Sequence, residues 1–250
     1  MTYFLGIEIH KSKLGFHIHQ RNYAHEILKR CDMDHYNAAN TPTEARLQLS
    51  KGDDEQDVDP MQYMRLIGLL RYLCNTRSDL VFSVGIATRF MERPKVCHLA
   101  AVKRIIRYVK GTLGCKILFP TNDTGRKCEF LGYMDSNWCE DKDDRKFTSG
   151  YVFMFGGALI PWCYKKGLVV ALSSCEAEYI TMSLCACLAL WLVNLLEELG
   201  SNMEEDVTLL VDNVSAISLA KNPIAHGRSK HVAMRFHYLR DLVCASQLRL

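Results

Sequence analysis

A chain of 250 residues can form one large domain or two ordinary ones, and 48% hydrophobic residues leave ample material for a core. The formal charge of +3 is too small to identify a nucleic-acid partner by itself, so that case must rest on local clustering. Eleven cysteines, an odd count without a Cys-x-x-Cys pair or a charged-then-apolar leader, argue against a disulfide framework and read as reduced, mostly buried thiols of a soluble, cytoplasmic protein with no membrane partner, since no apolar stretch of transmembrane length stands out.

The opening YFLGIEIHKSKLGFHIHQ alternates Leu5, Ile7 and Ile9, then Leu14, Phe16 and Ile18, about a Lys11-Ser12-Lys13 turn, which predicts a β-hairpin. A short helix is expected from about Asn22 to Cys31, then a polar loop over 40–60. Gly52-Asp53-Asp54 lies in that loop without flanking strands, so it is not read as a polymerase site. Helical patterns follow near 60–74, 79–92 and 95–110. The last places Leu99, Val102, Ile105, Ile106 and Val109 on one face and Lys103, Arg107 and Lys110 on the other, before Gly111 ends it. Such a basic stripe suits a phosphate backbone and equally an ordinary solvated face.

A polar hinge at 121–127 precedes strand patterns at 129–135, 149–155, 158–164 and 168–172. Gly156-Gly157 marks a tight hairpin, and Pro161, which has no N–H for a ladder, places its strand at a sheet edge. A long helix is expected over about 174–199, opened by a capping box in which Ser173 is the N-cap and Glu176 reaches back. Cys185 and Cys187 on it point to different sides, a poor geometry for a shared metal. A strand at 207–211, a short helix after Asn213, a helix near 231–243 and the start of a strand in SQLRL complete the chain.

Acids are disfavoured inside strands, yet Asp135 lies in one, whereas Glu140, Asp141, Asp143 and Asp144 fall in the next loop and read as a solvated turn. Glu178 sits in the first turns of the long helix, roughly 200° around from Glu176, and Asp212 directly follows the apolar strand VTLLV. Carboxylates gathered from separate elements repel unless a cation offsets them, and hard oxygen ligands suit Mg²⁺ or Mn²⁺. Two plainer readings stay open: Asp212 as the cap of the following helix, and Asp135 as an acid on an exposed edge strand.

The strings GYMDSNW, DRKFTSGYVF, ALSSCEAEYI, LLVDNVSAISLAKNP and RSKHVAMRFHYLRD, in that order, resemble the ribonuclease H domain of copia-type LTR retrotransposon Pol polyproteins. Upstream, YFLGIEI, YMRLIGLLRYLCNTRSDLVFSV and VKRIIRYVKGT resemble the C-terminal part of the same family's reverse transcriptase. The resemblance implies an α/β, ribonuclease H-like mixed five-stranded sheet over 128–250, with its last strand and final helix truncated, preceded over 1–120 by a mostly helical thumb/connection-like region with an N-terminal hairpin. Matched residue by residue, the family's metal-binding and catalytic carboxylates fall on Asp135, Glu178 and Asp212. They imply two Mg²⁺ (or Mn²⁺) ions about 4 Å apart that assist hydrolysis of the RNA strand of an RNA–DNA hybrid. Arg145, Lys146, Lys165, Lys166, Arg228 and Lys230 are candidates to hold phosphates, each also compatible with an ordinary surface charge.

Several departures from the family pattern bear on activity. No polymerase Asp-Asp hairpin is present, and the family's fourth carboxylate, on a helix after the last strand, would lie beyond Leu250. Phe147 replaces the usual Ser, and Pro161 and Thr181 are further departures. The alternative to a nuclease is therefore a catalytically dead Pol relic that at most binds nucleic acid, alone or with other Pol fragments.

Overall fold

The structure, a computed structural model, describes residues 2–45, 47–52, 55–121, 129–200, 207–221, 233–244 and 248–250, without the side chains of 233–237. Asp53, Asp54, Arg228 and Lys230 lie outside the described residues. The chain divides into two compact units, Met1–Thr121 and Asn122–Leu250.

In the first unit the expected hairpin, β2 (Ile7–Ser12) and β3 (Gly15–His19), is the centre of a four-stranded antiparallel sheet completed by β1 (Tyr3–Phe4) and β4 (Ile117–Pro120). Gly15 pairs with Pro120 at φ +137°, and a Cβ there would run into the backbone carbonyl of Phe119, so the close approach of β4 requires glycine. The helices α1 (Arg21–Arg30), α2 (Pro60–Leu73), α3 (Val81–Ala87) and α4 (Val96–Gly111) enclose one core containing Ile27, Tyr63, Ile67, Leu70, Val102, Ile105 and Ile106. Asp59 caps α2 by accepting from the amides of Met61 (3.0 Å) and Gln62 (3.3 Å), with Pro60 at the first helical position where no N–H is needed.

The helix expected over 79–92 is broken into 3₁₀ turns at Ser78–Leu80 and Thr88–Phe90 flanking α3. At its end the Thr88 hydroxyl donates to the Gly85 carbonyl (2.7 Å), a local bond that competes with the helical ladder. The buried Arg77 guanidinium forks onto Asp79 (2.8 and 2.6 Å) and also donates to Thr112 O and Oγ1 (3.1 and 2.7 Å), tying the end of α2 to the end of α4.

The second unit is built on a mixed five-stranded sheet, β5 (Phe130–Asn137), β6 (Thr148–Phe155), β7 (Ala158–Lys166), β8 (Val207–Leu210) and β9 (Leu248–Arg249). Its order is β7-β6-β5-β8-β9; β5, β6 and β7 are antiparallel neighbours, while β8 and β9 join in parallel. Three helices, α5 (Ser174–Glu198), α6 (Val214–Lys221) and α7 (Ala233–Cys244), share its core with Phe130, Met134, Phe153, Val207 and Leu209 of the sheet. Gly132 allows the Leu209 side chain and the Phe153 ring to meet over β5, since a Cβ would stand 2.6 Å from Phe153 Cε1 and closer still to Leu209. Pro161 lies in edge strand β7 as expected; Val152 pairs with Trp162 and Met154 with Leu159, so a bulge accommodates it.

Three expectations need correction. Residues 168–172 are not a strand: the Ala171 carbonyl accepts from Trp138 Nε1 (2.8 Å) and the Leu172 amide donates to Glu176 Oε2 (2.7 Å), so these backbone groups are bound to side chains instead of a ladder. The loop acids are not simply solvated, because Asp141 is only 7% exposed and pairs with Lys166 (2.6 Å). An apolar stretch of transmembrane length does exist, since α5 is long and apolar enough by length and composition. Its buried face packs on the sheet, and half of its most apolar window is inside the unit, which is the setting of a core helix. The family departures also fit: Phe147 fills a small core with Ala171, Ala177 and Ile180 against the bare backbone of Gly167, and the Thr181 hydroxyl meets Ser149 Oγ (2.7 Å).

Candidate metal centre

Asp135, Glu178 and Asp212 come from β5, the first turns of α5 and the residue pair beyond β8, and each offers a carboxylate oxygen within 4.8 Å of the others. The two plainer readings do not hold. Asp135 is in the central strand of the sheet, not at an edge. The cap of α6 is Asn213, whose Oδ1 accepts from the Ala216 amide (3.0 Å), leaving Asp212 without that task.

Ser173 caps α5 as expected, its Oγ accepting from the Glu176 amide (3.1 Å), while the Glu176 carboxylate turns back to accept from the amide of Leu172, one residue before the N-cap (2.7 Å). Two residues on, Glu178 is 4% exposed although it carries a carboxylate. Its Oε1 accepts from both the amide and the hydroxyl of Ser136, each at 3.0 Å. Its Oε2 is buried without a hydrogen-bond partner among the described residues. Burial pushes the Glu178 carboxyl above its ordinary value, the two Ser136 hydrogen bonds pull it back, and the Asp135 and Asp212 charges add to the upward shift. A buried, unpartnered carboxylate oxygen facing a gathering of like charge is what a divalent cation compensates, and an all-oxygen donor set matches a hard cation. The residues present therefore fit Mg²⁺ or Mn²⁺.

The remaining predicted residues separate into distinct groups. Lys166 bonds Asp141 (2.6 Å) and Asp144 (2.9 Å), and Lys146 lies 3.6 Å from Asp144, so both are engaged in bracing the loop after β5. Burial acts upward on the Asp141 carboxyl but is outweighed by the Lys166 bond and the amides of Asp143 and Asp144, which bring it down to about 2. Arg145 and Lys165 are exposed. The stripe on α4 does not act as one surface: Arg107 donates to Asn37 O (2.7 Å) and Lys110 to Asp34 O and Tyr36 O (2.6 and 2.7 Å), holding the loop after α1. Lys103 instead borders a cleft of about 670 Å³ with Leu99 and Ile106. Ser136 is the site residue that sequence reasoning missed; its signal was a hydroxyl next to the strand acid, legible only once α5 is known to cross there. A second group of such side chains, Asp32, Asp34 and His35, is exposed on the first unit.

The mixed sheet with its acid cluster, and the sheet-and-helix unit that precedes it, define an α/β protein of two units. No family model matches the chain. Over its whole length it is 36% identical to a retrovirus-related Pol polyprotein from transposon RE1 and 34% identical to that from transposon RE2, both of Arabidopsis thaliana, and it spans 17% of the length of each. Among solved structures, the foamy viral protease-reverse transcriptase in complex with dsDNA matches with a TM-score of 0.53 at 11% identity, over 96% of this chain and 42% of that one. The chain belongs to the retrovirus-related Pol polyproteins of copia-type transposons.

Proposed function

We propose that the second unit is a ribonuclease H-type nuclease that hydrolyses the RNA strand of an RNA–DNA hybrid with Mg²⁺ or Mn²⁺. One observation carries this reading: three carboxylates on three separate elements converge within 4.8 Å, and one of them keeps a buried oxygen without a partner. Asp135, Glu178 and Asp212 would hold the metal. When bound, divalent ions supply Lewis-acid stabilisation of charge at a phosphate and a nucleophilic water at neutral pH. Glu178 offers its buried Oε2 from the rigid start of α5, while the exposed Asp135 and Asp212 border the side open to a phosphate. Arg145 and Lys165 are exposed, with no ion pair among the described residues, and would be available to the hybrid backbone. Membership in the Pol family supports a nucleic-acid substrate, as does the fold shared with a reverse transcriptase bound to dsDNA. Because the chain spans 17% of those relatives, other Pol segments are proposed as partners. The described cysteines are free thiols, and against the expectation of mostly buried ones only Cys185 among them is buried, while Cys115, Cys187 and Cys244 are exposed; a cytoplasmic setting remains the proposal.

The test is cleavage of a labelled RNA–DNA hybrid by the purified chain with Mg²⁺ or Mn²⁺, beside Asp135→Asn. The reading expects metal-dependent cleavage that falls to background in the variant. Equal activity in both proteins would end it, and salt-sensitive hybrid binding without turnover would favour a catalytically dead relic.

A further inference from the structure

The two oxygens of Glu178 are not equivalent. Oε1 is occupied by two donors from one residue, the Ser136 amide and hydroxyl at 3.0 Å each, while Oε2 is buried with none. A carboxylate on a helix otherwise turns about its last torsion and presents either oxygen. Two donors converging on one oxygen stop that rotation. We propose that Ser136 is a positioning residue of the metal centre, which pins Oε1 and so dedicates Oε2 of Glu178 to the divalent cation; this rests on the metal-binding reading above.

Any residue but proline at position 136 would supply the amide, so the hydroxyl is what serine adds. It acts from a fixed point, because β5 is the central strand and Ser136 pairs in register with Ser149 of β6. The gap between sheet and helix does not depend on this contact alone. Thr181 Oγ1 donates to the Ala177 carbonyl (3.0 Å) and lies 2.7 Å from Ser149 Oγ, which can then donate to it, so a separate pair of hydroxyls joins α5 to the sheet farther along the helix. Loss of the Ser136 hydroxyl should therefore free the carboxylate without releasing the helix. Partners that orient a metal ligand typically change metal affinity by about 10–100-fold when removed.

The experiment is a Mn²⁺ titration of the full chain, reading free ion by electron paramagnetic resonance, with thermal melting in EDTA as the control for folding. Ser136→Ala is expected to weaken Mn²⁺ binding by roughly tenfold with little change in the EDTA melting midpoint, and Ser136→Thr, which keeps the hydroxyl, to restore it. Wild-type affinity in Ser136→Ala, or equally weak binding in Ser136→Thr, would overturn the proposal while leaving the metal centre standing. A wild-type chain that takes up no Mn²⁺ would remove the metal centre itself, and the assignment of Ser136 with it.

Discussion

Replacing Glu178 by Gln tests the electrostatic argument directly, because it keeps the side-chain size and an oxygen for Ser136 to bond while deleting one charge from the cluster. Two unit charges 4.8 Å apart repel by about 1 kcal/mol at the dielectric of water and about 3.5 kcal/mol at an effective dielectric of 20. Asp135 and Asp212 are exposed, which puts each repulsion near the lower figure. The new amide nitrogen would also fill the position of the orphaned Oε2 and could donate to a neighbouring carboxylate. Without metal, Glu178→Gln should therefore be more stable than the wild type by about 1–2 kcal/mol, or roughly 3–8 °C in melting midpoint. All three tryptophans, Trp138, Trp162 and Trp191, lie in the second unit, so their fluorescence reports its unfolding alone. Adding Mg²⁺ should raise the wild-type midpoint and leave the variant almost unmoved. A variant that melts below the wild type in EDTA, or that gains as much from Mg²⁺, would refute the reasoning.

Further outcomes follow from packing and charge. Gly132→Ala should destabilise the second unit by about 1–3 kcal/mol through overpacking against Leu209 and Phe153; an unchanged urea midpoint in tryptophan fluorescence would contradict that close contact. The Asp141 carboxyl lies below its ordinary 3.8, at about 2, so it contributes stability present above pH 3.8 and lost as the pH falls through about 2. Lys166→Met should accordingly move acid unfolding of the second unit to higher pH, and an unshifted acid midpoint would show that the Lys166 bond is not what depresses Asp141.

Much of the candidate site was legible because its carboxylates occupy positions where acids need a reason, which raised the suspicion, and because they match the motifs of the family the sequence resembles, which singled them out. Asp135 inside an apolar strand, Glu178 beyond a capping box that already accounts for Glu176, and Asp212 closing an apolar strand are local anomalies that a sequence displays. Contacts distant along the chain were not legible. The short strand Ile117–Pro120 has no alternation to announce it and exists because β3, near the opposite end of its unit, has a free edge. Leu168 to Leu172 look like a strand by composition, but Trp138 and Glu176 take the backbone groups that a ladder would have used. Asp141 was indistinguishable from its acidic neighbours until Lys166 was seen to reach it. The basic stripe on α4 was correctly placed on a helix, yet periodicity cannot show that carbonyls of the 34–37 loop occupy Arg107 and Lys110.

Crystals of the full chain soaked in MnCl₂, with anomalous scattering recorded at the manganese edge, would examine the cation site directly. The account expects a peak bounded by Asp135, Glu178 and Asp212, with Glu178 Oε2 as a ligand and Ser136 still on Oε1. Manganese bound elsewhere, with these carboxylates left bare, would contradict it.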